Sequence, residues 1–326
     1  METFDLIVIG AGISGIMAAV EAKSRGVKKV IIIDRDIEPG GAMLSCVQTS
    51  FYYKNIKENL TASELISELV RDALNQGVII KCDTTVLELK KNKEVVIVNS
   101  TEGINTIAGR VIILAMGSRE RPFGYKNILG YGMAGITTAC STLKYINRKG
   151  VLPGKRCIIL GSDDIGMLAA RTLILEGANV INMIETSGSI TAVWNSSKEY
   201  IEDFKIPILF NHRVVKIYGT HRVTGVDIVE LDENYKAIKD TCTYVDCDTL
   251  VLCMHLKPDT PIAEKVGIDV NKESRGISIT EKMETSQRGI FACGAVIHGY
   301  TNVEKVMNEG RLAAKYATEH LNKNWL

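Results

Sequence analysis

The residues best placed to do chemistry are three glycines in the run Gly10-Ala-Gly12-Ile-Ser-Gly15. Between an apolar strand and a helix, such a run makes a tight turn at Gly10. It lets backbone N–H groups approach a pyrophosphate at Gly12 and lets helix and strand pack closely at Gly15. Asp34 ends the next apolar run, at the distance where a dinucleotide-binding unit places its ribose-binding carboxylate. The same grammar returns in Gly161-Ser-Asp163-Asp-Ile-Gly166, with Glu185 in the acidic position. There the middle glycine is Asp163, which puts a side chain and a negative charge where a pyrophosphate needs close backbone approach. Glu185 also stands where a basic residue would receive a 2′-phosphate. The second unit therefore either takes NAD in altered form or serves as a scaffold, and the second alternative is favoured.

The eight cysteines, Cys46, Cys82, Cys140, Cys157, Cys242, Cys247, Cys253 and Cys293, form no C-x-x-C pair, and most lie in apolar or strand-like runs. Cys242, Cys247 and Cys253 lack the paired spacings of zinc or iron–sulfur sites, so no metal is expected. Reduced cysteines packed as small hydrophobes fit a cytoplasmic protein. His212, His221 and His320 lie in polar segments and are expected at the surface.

The elements that must hold these residues read directly from apolar runs. Asp5–Ile9 is strand-length, Ile16–Lys23 is helical, and Lys29–Ile33 is a second strand. Arg156–Leu160, Met167–Leu175 and Asn179–Ile184 repeat that order, which makes an internal duplication of α/β units with parallel sheets. Thr61-Ala-Ser-Glu64 predicts a capping box before a helix that stops at Gly77. Val78–Ile80, Thr85–Leu89 and Val95–Val98 predict a small antiparallel layer, and Glu304–Leu321 a final helix. The 326 residues suffice for two domains, and a net charge of +1 gives no field to attract nucleic acid. The apolar run from Leu6 to Val20 is too short and too broken by glycine to span a membrane, and it reads as strand and helix rather than signal peptide.

Several signatures in this order resemble the pyridine nucleotide-disulfide oxidoreductase superfamily: the two glycine turns, Gly40-Gly41, Val111-Ile-Ile-Leu-Ala-Met-Gly117 and Gly289-Ile-Phe-Ala-Cys-Gly294. GGAMLSCVQ at 40–48, LAMGSRERP at 114–122 and METSQRGIFACG at 283–294 are similar to the FAD-dependent subunits of multi-component amine and amino-acid dehydrogenases, of the dye-linked proline dehydrogenase and cyanide synthase type. The resemblance implies two Rossmann-like domains arranged as in glutathione and thioredoxin reductases. A discontinuous FAD domain would occupy 1–118 and 256–326, with an inserted NAD(P)-binding-like domain at 119–255.

It also implies FAD contacts from Gly10, Gly12, Ile13, Ser14, Gly15, Asp34, Arg35, Gly41, Ala42, Val86, Ala115, Met116, Gly117, Gly294, Ala295 and Val303. Gly161, Asp163, Gly166 and Glu185 would form a second nucleotide site for NAD. The superfamily's ribityl-binding aspartate is Ala295 here, so another group must make that contact. Cys46 lies where the superfamily carries its redox cysteines and His298 matches a family histidine. These two are the implied catalytic candidates, each weighed against a purely packed role, with Tyr300 nearby. Cys140 falls close to the C-x-x-C of thioredoxin reductases, but Thr137-Thr-Ala-Cys140 supplies one sulfur, which disfavours disulfide exchange.

Three functions follow as expectations. The first is an electron-transferring FAD subunit acting on a small amine, amino acid or hydroxy acid, with a second dehydrogenase subunit or an iron–sulfur protein as partner and a homo-oligomer possible. Relatives of that branch often continue into a cysteine-rich cluster domain, which here would lie on a separate protein. The second is an NAD(P)H-dependent disulfide, peroxide or quinone reductase. The third is a nucleotide-holding structural subunit.

Overall fold

The computed structural model describes residues 1–47, 51–53, 59–121, 132–193, 195–299 and 301–323. Gln48, Pro122 and Tyr300, named or spanned above, lie outside them. The chain divides into two compact units, Met1–Arg119 with Leu256–Leu326, and Glu120–His255.

The first unit is built on a strand, Glu2–Ile9, whose Leu6, Ile7 and Val8 are wholly buried. A strand buried on both faces is typical of the inside of a parallel sheet. Its parallel neighbours are Val30–Ile33, in register from Leu6↔Val30 to Ile9↔Ile33, and Gly103–Leu114. Alternation then separates two cores. Leu6, Val8, Val30, Ile32, Val111 and Ile113 face one, while Ile7, Ile9, Ile31, Ile33, Ile112 and Leu114 face the other. Helix Ile13–Ser24 is apolar almost all round because it lies between this sheet and helices Ala62–Asn75 and Val303–Lys323.

The capping box forms as its residues predict. Thr61 Oγ1 accepts from the Glu64 amide at 3.2 Å, and Glu64 Oε2 accepts from the Thr61 amide at 2.8 Å. The expected antiparallel layer needs correcting at its first member. Ile79–Lys81 pairs parallel with Val30–Ile33 at the sheet edge, and only Thr84–Leu89, Glu94–Asn99 and Gly103–Leu114 run antiparallel, within the same sheet. Ile290–Ala292 returns to pair parallel with Ile112, Ile113 and Leu114. This places the chain from Gly294 onward beside the first glycine turn.

The second unit repeats the plan. A parallel sheet runs in the order Ile208–Leu209, Asn179–Ile184, Arg156–Leu160, Thr249–Leu252, Ile136–Thr138. Helix Asp164–Leu175 follows the second glycine turn. A three-stranded antiparallel sheet, His212–Gly219, Val223–Glu230 and Thr243–Asp246, has no counterpart in the sequence expectations. Among the described residues no helix is long and apolar enough to cross a membrane.

In the first unit, helix Val303–Lys323 approaches helix Ile13–Ser24 through Gly310, where a β-carbon would collide with the Ser14 carbonyl oxygen. Gly310→Ala is expected to destabilise the chain by about 1–3 kcal/mol, the usual scale of overpacking. Chemical denaturation checks this, and an unchanged midpoint would mean that the two helices do not meet this closely.

Candidate functional site

At the first glycine turn each glycine has its own physical reason. Gly10 sits at φ +110°, and a β-carbon there would collide with the Ala115 carbonyl oxygen. A β-carbon on Gly15 would strike the Gly10 carbonyl oxygen, so helix and turn touch only because none is present. Gly12 has ordinary extended dihedrals, φ −74° and ψ 177°. Its lack of a side chain serves space instead: a β-carbon there would meet no described protein atom within 4 Å. Helix Ile13–Ser24 begins with no side-chain cap and no acidic residue in its first turn. Its first amides and the positive end of its dipole therefore carry no side-chain cap, the arrangement that suits a phosphate.

Asp34, Gly40, Gly41, Ala115 and Gly294 meet this turn, whereas Val86 is packed in a core and no hydrogen bond or ion pair among the described residues brings Arg35 or Val303 to it. Asp34 closes it, with Oδ2 accepting from the Ala11 amide at 2.5 Å and Oδ1 from the Asp36 amide at 2.8 Å. The Gly40 amide donates to the Ala11 carbonyl at 2.8 Å, and a β-carbon on Gly41 would lie 3.3 Å from the Gly12 α-carbon. Ala42 is in the 3₁₀ turn Gly41–Ser45, which ends at Cys46 rather than opening a helix. The Ala115 amide donates to the Ile9 carbonyl at 2.8 Å, and Met116 and Gly117 (φ +73°) follow it. A β-carbon on Gly294 would collide with Ser14 Oγ. Ile13 and Ser14 are buried, and Val303 begins the last helix. Arg35 pairs with Asp259 at 3.4 Å. Val86 packs in the core with Ile33 and Phe4. The open, uncapped turn and its carboxylate fit the diphosphate and ribose of a dinucleotide.

The second turn shares the backbone but not the vacancy. Gly161 has φ +107° and its amide donates to the Ile184 carbonyl at 2.8 Å, as the Gly10 amide donates to Ile33 at 2.8 Å. Asp163 holds φ −74° and ψ 169°, nearly the dihedrals of Gly12. Its Oδ1 accepts from the Gly166 amide at 2.8 Å, and its Oδ2 lies 3.6 Å from His255 Nδ1. The helix thus carries its own anion where a phosphate would sit. Room is not the obstacle, because a cavity of about 800 Å³ lies here, lined by Gly161, Asp163, Glu185, Lys216, Tyr235 and His255 among others. Burial alone would raise the Glu185 carboxyl, but the amides of Ser187 and Ser162 and the Ser162 hydroxyl outweigh it and hold the group below the usual carboxylate range. At this turn the residues present do not fit a pyrophosphate.

The thiols divide sharply. Cys140 is at the start of helix Ala139–Lys149, a place that ordinarily favours a thiolate. Burial, together with the Glu120 carboxylate that accepts from its amide at 3.0 Å, wins instead and holds the thiol well above its usual range. Burial likewise pushes Cys157, Cys247 and Cys293 up to about 12. Cys46 is half-buried, with its amide donating to the Met43 carbonyl at 2.9 Å. No cluster of three or more metal-ligating side chains occurs among the described residues.

The histidines require corrections. His320, expected at the surface, has a side chain only 15% exposed, stacks edge-on against Phe291, and is held below its usual pKa by burial. His212 is half-buried and lines the cavity of the second unit, whereas His221 is exposed. His298 is half-buried and its Nε2 lies 2.9 Å from Glu309 Oε1, a partner that the sequence reading missed. The only available signal was an acidic residue eleven positions on, in a helix whose polar residues otherwise read as a solvated face.

Two α/β units, each carrying a strand, a glycine turn and a helix, define a two-dinucleotide-fold flavoprotein. The pyridine nucleotide-disulphide oxidoreductase family model matches residues 4–310, so the chain belongs to that family of FAD-dependent oxidoreductases. It is 24% identical to a thioredoxin reductase of Ureaplasma parvum over 99% of this chain and 98% of the relative. A dihydrolipoyl dehydrogenase of Manduca sexta is 24% identical over 94% of this chain, which spans 66% of that relative's length. A sarcosine oxidase subunit alpha of Rhizobium meliloti is 30% identical over 56% of this chain and 19% of its own. Among solved structures, T. acidophilum thioredoxin reductase superposes with TM-score 0.77 at 24% identity, covering 98% of this chain and 99% of its own. L-proline dehydrogenase from P. horikoshii superposes with TM-score 0.69 at 18% identity, covering 98% and 56%.

Exchanging the two middle residues tests the assignment of the turns. Gly12→Asp is expected to weaken FAD binding by about two orders of magnitude, or roughly 3 kcal/mol for an unpaired charge against the diphosphate. Asp163→Gly should cost helix Asp164–Leu175 only a few tenths of a kcal/mol and let the second unit take up NADH. Calorimetric titration reads both, and equal NADH affinity in the parent and Asp163→Gly would refute the self-capped turn.

Proposed function

We propose that this chain is the FAD-dependent, electron-transferring subunit of a multi-component dehydrogenase acting on a small amine, amino acid or hydroxy acid. The observation that carries the proposal is the contrast between Gly12, which leaves its helix N-terminus open, and Asp163, which fills the equivalent one. One nucleotide site is ready and the other holds its own anion. A nicotinamide donor has no ready phosphate seat in the second unit, and the sequence carries no C-x-x-C pair to pass electrons to a disulfide. Electrons must then enter or leave through a partner, and a second dehydrogenase subunit or an iron–sulfur protein fits that need. A cytoplasmic location accords with cysteines that lie mostly in apolar or strand-like runs and form no C-x-x-C pair.

FAD, when bound, supplies two-electron transfer. The residues Gly10, Gly12 and Gly15 admit its diphosphate, Asp34 is placed for its ribose, and Gly294 lets the returning chain pass close to the turn. The chain's own groups bind and orient, while substrate recognition resides on the partner.

A second reading has a specific observation behind it. The thioredoxin reductase of Ureaplasma parvum matches nearly end to end, whereas the sarcosine oxidase subunit matches only part of this chain. On coverage the relatives favour an NAD(P)H-dependent reductase of a disulfide, peroxide or quinone, which here would rely on the single thiol of Cys46. Mixing the purified chain with NADH under anaerobic conditions separates the two. The dehydrogenase reading predicts that the visible flavin band persists with NADH and bleaches only with an amine or hydroxy acid plus the partner subunit. Rapid bleaching by NADH alone would establish the reductase, and its survival in Cys46→Ser would then assign it to a quinone rather than to thiol chemistry.

A further inference from the structure

Inside the first unit, the single turn Ala295–His298 lies between two glycines in the positive-φ region, Gly294 at +78° and Gly299 at +81°. Glu309, on helix Val303–Lys323, reaches both ends of this turn. Its Oε2 accepts from the Gly294 amide at 3.0 Å, and its oxygens lie 2.9 and 3.1 Å from His298 Nε2. His298 Nδ1 lies 3.0 Å from the Gly299 carbonyl oxygen. The protons can be counted from these contacts. A carbonyl only accepts, so Nδ1 must carry a hydrogen. Nε2 then has no hydrogen in the neutral ring, yet it faces a carboxylate oxygen at hydrogen-bond distance, where two lone pairs would repel. One further proton must lie between them, on the imidazole or on the carboxyl.

We infer that His298 and Glu309 form a proton-holding pair whose shared proton is coupled to the redox state of the cofactor held at the neighbouring turn. The proposal rests on the FAD reading above. It makes Glu309 the positioning residue that fixes both the His298 ring and the Gly294 amide, next to Ala295, where the expected acidic side chain is missing. The balance is simple. With its shared proton the pair is neutral, and when that proton leaves, Glu309 carboxylate and neutral His298 remain with a net charge of minus one. Two electrons entering the cofactor bring one or two protons with them. A nearby pair that can change charge must then titrate at a different pH in the oxidised and reduced protein, by linkage.

The pair is half-sheltered, with side chains 22% and 13% exposed, so its proton is neither freely solvated nor sealed away. Strand Leu256–Pro258, which carries Lys257, packs against the turn Ala295–His298, and further groups come from other neighbouring elements. The Ser14 hydroxyl, on helix Ile13–Ser24, lies against Gly294. The Cys293 thiol is held up at about 12, with the Glu309 charge among the causes, and stays protonated. The Ser274 hydroxyl donates to the Ile297 carbonyl at 3.3 Å. Of the groups named, Glu309 is the one at hydrogen-bond distance from His298 Nε2.

The test uses the full-length chain with its flavin and needs no turnover. Nitrogen-15 spectra of His298 are expected to show hydrogen on Nδ1 throughout the neutral range, with Nε2 protonated or proton-sharing. In Glu309→Gln the amide can donate to Nε2, so that nitrogen should shift to the unprotonated position. The flavin midpoint potential plotted against pH should carry a break in the parent that is lost in Glu309→Gln and His298→Asn and restored in Glu309→Asp. A parent His298 bare at Nδ1, or an unchanged potential profile in Glu309→Gln with FAD still bound, would overturn the pair. A chain without flavin would instead defeat the FAD reading, and the nitrogen spectra would still judge the proton count.

Discussion

The structure turns on what occupies the amide groups at the start of a helix. A helix N-terminus presents unpaired N–H donors and a partial positive charge, and it must satisfy them with water, with a side chain or with a bound anion. This chain builds the same strand–turn–helix twice, on nearly superimposable backbone angles, and answers the question differently each time. At Gly12 the donors are left to a ligand. At Asp163 the chain's own carboxylate takes the Gly166 amide. The sheets, the flanking helices and the returning strand Ile290–Ala292 serve to hold that difference in place.

The electron path follows from the same economy of groups. A family member that draws electrons from a nicotinamide needs a second phosphate seat, and one that exchanges disulfides through a C-x-x-C motif needs two thiols. Here Asp163 stands at the first, Cys140, close to the C-x-x-C position of thioredoxin reductases, is held well above the usual thiol range by burial and by Glu120, and Cys46 lies in no C-x-x-C motif. What remains is a flavin site flanked by a histidine–carboxylate contact. On the function proposed above, that set of groups stores electrons and a proton while another protein supplies or removes them.

Much of this was legible in the residues. The glycine spacing, the apolar strands and the terminal acids Asp34 and Glu185 are local signals, and the capping box at Thr61 formed as its residue types require. Asp163 announced its effect because a carboxylate at that position can accept from the helix's own first amides. What sequence could not show were pairings made over distance. Ile79–Lys81 reads as one strand of a local layer, yet it joins the parallel sheet because its edge fits beside Val30–Ile33. His320 sits in a polar stretch, but one helical face turns it onto Phe291. Glu309 is an ordinary acidic residue in an amphipathic helix until the return strand brings Gly294 and His298 to it.

Nucleotide stoichiometry distinguishes an open turn from a self-capped one. The full-length chain would be stripped of small molecules, equilibrated with excess FAD and NADH together, and assayed for each nucleotide bound per polypeptide. One open and one self-capped turn predict a single FAD and no NADH. Two nucleotides on one chain, or none, would contradict the asymmetry on which the rest is built.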